Sequence, residues 1–162
     1  MHFDAPVMAP FEVVKPEWID YNGHLNMAYY NVLFDHAVDH AFALIGCGPD
    51  YVKARGLSFF TAEAHVRYLR ELKPGSMARA SVRILERDAK RVRLYQELFH
   101  EDGWISATSE SLALHIDMAG PKVTPFPDDI AERLSAMHEA HAVLPLPERA
   151  GEGIALRRAT AG

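Results

Sequence analysis

From Met27 to Ile45 the chain is apolar except at Asn31, Asp35, His36, Asp39 and His40. Those positions recur at spacings of four and one, so they form a single narrow stripe on a helix. Tyr30, Leu33, Phe34, Ala37, Val38, Ala41, Phe42 and Ile45 cover the rest. A helix apolar around so much of its circumference is expected to be wrapped by other structure. Gly46 and Gly48, with Pro49 beyond, supply its stop.

After this helix the period changes to two. In Leu57 to Leu72, Phe60, Ala62, Ala64, Val66 and Tyr68 are expected on one face. Phe59, Thr61, Glu63, His65, Arg67 and Leu69 are expected on the other, in one long, bent strand. Lys73-Pro-Gly-Ser76 is a turn, and Ala80, Val82 and Ile84 then alternate with Arg79, Ser81 and Arg83. Asp88-Ala-Lys90 turns the chain into Arg91 to His100, where Val92, Leu94 and Leu98 share a face. Asp102-Gly103 predicts a tight hairpin, because its turn needs positive φ. The strand from Trp104 to Met118 sets Leu112, Leu114, Ile116 and Met118 on one side.

The flanks are plainer. Residues 1–10 hold two prolines and no periodicity, and are expected to be a loose lead-in to a domain spanning 11–142. Phe11 to Val14 is a short strand candidate. A second helix is expected from about Asp128 to His141, with Ile130, Leu134, Met137 and His141 at helical spacing. Residues 143–162, rich in Pro, Gly, Ala and charge, are expected to be an extended or disordered tail. One helix followed by four consecutive strands with short turns predicts an α+β fold, an antiparallel sheet curled around the helix.

With 162 residues and 49% hydrophobic content, a single domain with an ordinary core is expected. The net charge of −5 argues against a general nucleic-acid or anionic-membrane binder. No apolar run reaches membrane-spanning length, and the first residues lack a leader pattern, so a cytoplasmic location is expected. The single cysteine, Cys47, excludes an intrachain disulfide.

The densest polar constellation lies just before the helix. Asp20, Asn22, His24 and Asn26 alternate with Tyr21, Gly23 and Leu25. Unpaired backbone N–H groups at a helix start favour negative charge, so this is a place to stabilise an oxyanion. The same residues also suit Asx-turns and a helix cap, and four polar positions in seven exceed what a cap requires. Gly-x-Ser-x-Gly, Walker and His-Glu-x-x-His motifs are absent, and Cys47 has no neighbour that would lower its pKa. His36 and His40 beside Asp35 and Asp39 lack a third convergent metal ligand, so no metal is assigned. No cofactor is assigned either.

Asp20-x-Asn22-x-His24-x-Asn26 followed by Tyr29 and Tyr30 resembles the signature of hotdog-fold thioesterases of the 4-hydroxybenzoyl-CoA thioesterase type. Trp18 to Leu25, Phe60-Thr-Ala-Glu-Ala-His65, Asp88 to Arg91 and His115-Ile-Asp117 are similar to the betainyl-CoA thioesterase domains associated with L-carnitine dehydrogenases. The resemblance covers roughly residues 11–147, and its first motif is the most specific. It departs after His24, where several of those domains carry a polar run and this chain has Leu25-Asn-Met-Ala28.

The resemblance implies hydrolysis of an acyl-CoA by a homodimer or dimer of dimers, its active sites at the subunit seam. Asp20 would be general base or nucleophile, between which the sequence does not choose. Asn22 and His24 would orient water or polarise the carbonyl, with backbone N–H groups near Gly23 and the helix start receiving the oxyanion. Glu63 would be a second carboxylate delivered across the seam, with Glu71 a weaker candidate. Gly23, Asn26, Tyr29, Tyr30 and His65 would line the substrate. Trp18, Tyr21, Tyr29, Tyr30, Phe59 and Phe60 could cage a quaternary ammonium, or simply be core. Arg67, Arg70, Arg87, Lys90, Arg91 and Arg93 could hold the CoA phosphates or be ordinary surface. A non-catalytic module binding an acyl ligand is the alternative.

Overall fold

In a computed structural model, which describes residues 2–156, the apolar helix is α1, Met27–Leu44. Asn26 caps it, its side-chain oxygen accepting the Ala28 N–H at 2.9 Å. Tyr30, Leu33, Phe34, Ala37, Ala41 and Phe42 form its buried face. The stripe of Asn31, Asp35, His36 and Asp39 stays exposed, as do Met27 and Leu44 at the ends. The helix is therefore covered along its apolar face and open along this stripe.

A second helix, α2 at Pro49–Arg55, follows where only a stop is expected from Gly46-x-Gly48-Pro49. Pro49 occupies its first turn, where a missing N–H costs nothing, and Gly56 ends it with φ +63°. Tyr51 on α2 is buried, and its hydroxyl donates to His115 Nε2 at 2.7 Å.

Seven strands build one antiparallel sheet. They are β1 (Val7–Met8), β2 (Glu12–Val13), β3 (Leu57–Tyr68), β4 (Met77–Arg87), β5 (Arg91–His100), β6 (Ile105–Asp117) and β7 (Lys122–Val123). The order is β1-β4-β5-β6-β3, with β2 also on β4 and β7 also on β6. Among the described residues the 12-residue β3 thus pairs only with β6 and leaves its other edge open. The last helix, α3 at Asp128–Ala142, packs on β4 and adds Ile130, Leu134 and Met137 to the core.

Two strand faces differ from simple alternation. Thr61 pairs with Ala113 and Glu63 with Leu112, so Ala62 is an extra residue in a bulge. Leu57 and Phe59 pack on the core before it and Val66 after it. Phe59 and Thr61 therefore do not share a face with Glu63, His65 and Arg67. In β6 the inner side carries Ala107 and Ala113, while Leu112 lines the opposite side with Glu63 and His65. By alternation Leu114 shares the outer side with Leu112, so this aliphatic row points away from α1.

The first residues do more than lead in. Phe3, Val7 and Ala9 are buried, and Val7 pairs with Val82. His141, fully buried, holds this segment: its Nδ1 accepts the Ile84 N–H at 3.0 Å and its Nε2 donates to the Asp4 carbonyl at 3.0 Å. His115 is held in the same way, Nδ1 donating to the Thr124 carbonyl at 2.9 Å among the rings of Phe59 and Phe126.

Burial depresses the pKa of both His115 and His141. The unfolded chain then binds more protons than the folded one, so their contribution is complete above the ordinary value and lost as pH falls through it. A urea midpoint that declines from about pH 7.5 to about pH 5.5 is expected, across the ordinary histidine range; a flat or rising midpoint there would contradict the burial. Removing the cap by Asn26→Ala should cost about 1 kcal/mol in the same assay.

Candidate active site

The loop before α1 is a closed turn with few free atoms. A 3-10 turn at Pro16–Trp18 leads into it, and Ile19 bridges Leu25. Asp20 N donates to His24 O and Gly23 N to Asp20 O, each at 3.0 Å. Asn26 N reaches Trp18 O at 2.9 Å, and Leu25 N reaches Leu72 O at 2.8 Å. Gly23 takes φ +83°, which explains glycine there. Trp18 is buried beneath, stacked on Tyr29 at 5.7 Å with the Lys15 ammonium 4.9 Å from its ring.

This geometry fixes Asp20. One carboxylate oxygen accepts the Asn22 N–H at 2.8 Å, an Asx-turn that leaves the other oxygen open among the described residues. Asp20 and His24 are half-buried, whereas Asn22 and Gly23 are exposed and Tyr21 is fully so. The Gly23 N–H is spent inside the turn, so it does not serve an oxyanion. The donor left open at the helix start is the Met27 N–H: Ala28 N is taken by the cap and Tyr29 N by the Asn26 carbonyl at 3.0 Å. The sequence signal for it was its place directly after a capping residue.

Other expected site residues are tied into the frame. Asn26 has its side-chain oxygen in the cap. Tyr30 is buried, its hydroxyl accepting the Leu72 N–H at 3.3 Å and its ring set edge-on to Tyr68. The six rings considered for one cage separate: Trp18 pairs with Tyr29, Tyr30 with Tyr68, and Phe59 with Phe42 and Phe126. Tyr21 and Phe60 point to solvent.

Glu63 and His65 lie on the outer face of the sheet, in a cavity of about 650 Å³ shared with Arg93, Glu110 and Leu112. Its roof is the segment Gly151 to Ile154. Gly151 N ties that segment down by donating to Glu110 at 2.8 Å, and Arg83 holds the chain before it by donating to the Leu144 and Pro145 carbonyls. The remainder of the expected tail, residues 157–162, lies outside the described residues. Within one chain Glu63 and His65 thus line a cavity to which no residue of the Asp20 loop contributes, and Glu71 is exposed.

The basic cluster is largely engaged. Arg93 pairs with Glu110 at 2.6 Å and Glu86 at 2.9 Å, and Arg91 pairs with Asp88 at 2.6 Å. Arg87 donates to Ser135, and Arg70 lies over the Trp104 ring at 3.9 Å. Burial pushes the Cys47 thiol up to about 12, so it stays protonated and is a poor nucleophile.

Comparison with known proteins bears on family and fold. The model of the thioesterase-like superfamily matches residues 14–134. The chain is 38% identical over 154 residues to a betainyl-CoA thioesterase of Pseudomonas aeruginosa, covering 94% of this chain and 97% of that one. It is 35% identical to the L-carnitine dehydrogenase/betainyl-CoA thioesterase of Agrobacterium fabrum, aligning with 31% of that longer protein. A Staphylococcus aureus protein solved in complex with CoA superposes with TM-score 0.86 at 25% identity, over 97% of this chain and 100% of that one. Sheet, central helix and motif loop together make this a hotdog fold, and the chain belongs to the thioesterase-like superfamily.

Proposed function

We propose that this chain hydrolyses betainyl-CoA, or another short polar acyl-CoA, at the Asp20 loop. Thioester hydrolysis is the reaction of the family, and the betainyl group is suggested by the relative matching nearly end to end. The carrying observation is the Asp20 carboxylate, oriented by the Asn22 N–H and set before the start of α1, where the Met27 N–H is open.

The chemistry needs a base or nucleophile and an oxyanion donor. In one route Asp20 takes a proton from water while the water oxygen adds to the carbonyl carbon. In the other Asp20 itself adds, and water then cleaves the anhydride. In both, the C–S bond breaks, the proton finishes on the CoA thiolate, and the acid is released. The Met27 N–H and the positive end of α1 stabilise the oxyanion, an effect worth about 3 to 4 kcal/mol for one such donor. His24 and Asn22 orient water or the carbonyl.

Glu63 and His65 would act across a homodimer seam. The open edge of β3 supports this reading: a 12-residue strand exposed at its centre is an unpaired ladder that a second copy can complete. Two copies joined there would bring the Glu63 strand of one towards the Asp20 loop of the other.

Thiol release from a panel of acyl-CoAs tests the assignment. Asp20→Asn should lower kcat by about 10²- to 10⁴-fold while substrate still binds. Undiminished turnover would remove Asp20 from its role, and binding without turnover by the unaltered chain would favour a non-catalytic acyl-binding module. Met27→Pro, which deletes the open N–H at a helix position that tolerates proline, should lower kcat by about 10²-fold.

A further inference from the structure

Between the exposed stripe of α1 and the inner face of the sheet run two adjoining cavities, of about 360 and 330 Å³. They share Asp35, Val38, Thr61 and Ser111. The second has Phe42 and Phe59 in its walls, with ring centroids 4.4 Å apart. Its size is at the lower end for a small-molecule site, which suits a short acyl group. Cys47 also lines it, as a protonated thiol that adds no charge.

Asp35 and Asp39 line the same cavity from the helix, one turn apart. Like charges at that spacing oppose each other. Among the described residues neither makes an ion pair or a hydrogen bond. The adjacent His36 is turned to Glu12, at 2.9 Å. Burial, and then the charge of Asp35, raise the pKa of Asp39, and the neighbouring His36 lowers it; among the described residues no cation pairs directly with either carboxylate.

We propose that this cavity receives the acyl group and that Asp39, with Asp35, selects a cationic one: a quaternary ammonium carried beside the thioester carbonyl. Such a group has no N–H to donate, so it is held by a carboxylate field and by ring faces, and the cavity supplies both. An acyl group ending in a carboxylate would meet like charge and be rejected. The cage sought in the aromatic residues near the motif is thus replaced by Phe42 and Phe59 with two carboxylates. The cavity opens beside the free edge of β3, where the proposed seam would bring a second copy's loop. This inference rests on the thioesterase reading above and adds its specificity.

The test compares betainyl-CoA with tert-butylacetyl-CoA, the same shape with carbon in place of the charged nitrogen. Wild-type kcat/KM should favour the cation, and Asp39→Asn should cut that preference about tenfold while the neutral ester is hydrolysed as before. Asp35→Asn should act in the same direction, and the double variant should approach equal rates. A preference unchanged in all three variants would overturn the proposal. Binding of the trimethylammonioethyl and neohexyl thioethers of CoA reads the same preference without turnover. A chain that hydrolyses neither ester but binds the cationic thioether more tightly through Asp39 would sink the enzymatic reading and leave this one standing. Equal binding of the two thioethers by the wild type would sink this one alone.

Discussion

One contact surface governs the molecule: the face of α1 formed by Tyr30, Leu33, Phe34, Ala37, Ala41 and Phe42, pressed onto the inner side of the sheet. Burying each of the larger side chains contributes about 1.5 to 3 kcal/mol, so this face alone is a large share of the driving force for folding. It also sets geometry. Once that face is down, the axis and rotation of α1 are fixed, and with them the direction in which its first N–H groups point. The Asp20 loop is closed on itself through Asn26 N to Trp18 O and stitched to the connection between β3 and β4 through Leu25 N to Leu72 O. Core packing therefore aims the candidate chemistry.

The same rotation decides what is left exposed. With the apolar face buried, Asn31, Asp35 and Asp39 stand along the other side, next to the edge strand β3. A stripe that reads as mere solvation in sequence becomes one wall of a cavity whose far wall is Phe59, Thr61 and Ser111. The bulge at Ala62 matters here, because it turns Phe59 and Thr61 towards the helix while leaving Glu63 and His65 on the outer face. One extra residue divides a strand into a helix-facing half and an outward-facing half.

Much of this was legible from periodicity. The 3.6-residue repeat of α1 and α3 and the alternation in β4 and β5 follow from single faces packing on a core, and those elements lie where the pattern puts them. What escaped did so for physical reasons. Alternation cannot announce a bulge, since Phe59 and Val66 look out of phase until Ala62 is counted as unpaired. In β6 Leu112 and Leu114 lie on the outer side and small residues such as Ala107 on the inner one, so an apolar row alone does not mark the core-facing side. The α2 helix is too short for a period to emerge. Phe3 and Val7 are buried where partners far along the chain meet them, Val82 pairing with Val7 and His141 bonding the Asp4 carbonyl. In the site, the Asp20, Asn22 and His24 motif was visible as residue types. That Gly23 N is consumed by its own turn, leaving Met27 N as the open donor, required coordinates.

The central claim is that a thioester carbonyl docks between Asp20 and the start of α1. A crystal structure of Asp20→Asn with an intact acyl-CoA tests it most directly. The account predicts the carbonyl oxygen at about 3 Å from Met27 N, with the carbonyl carbon facing residue 20. An acyl group seated elsewhere, with the Asp20 loop open to solvent and the Met27 N–H unused, would contradict it.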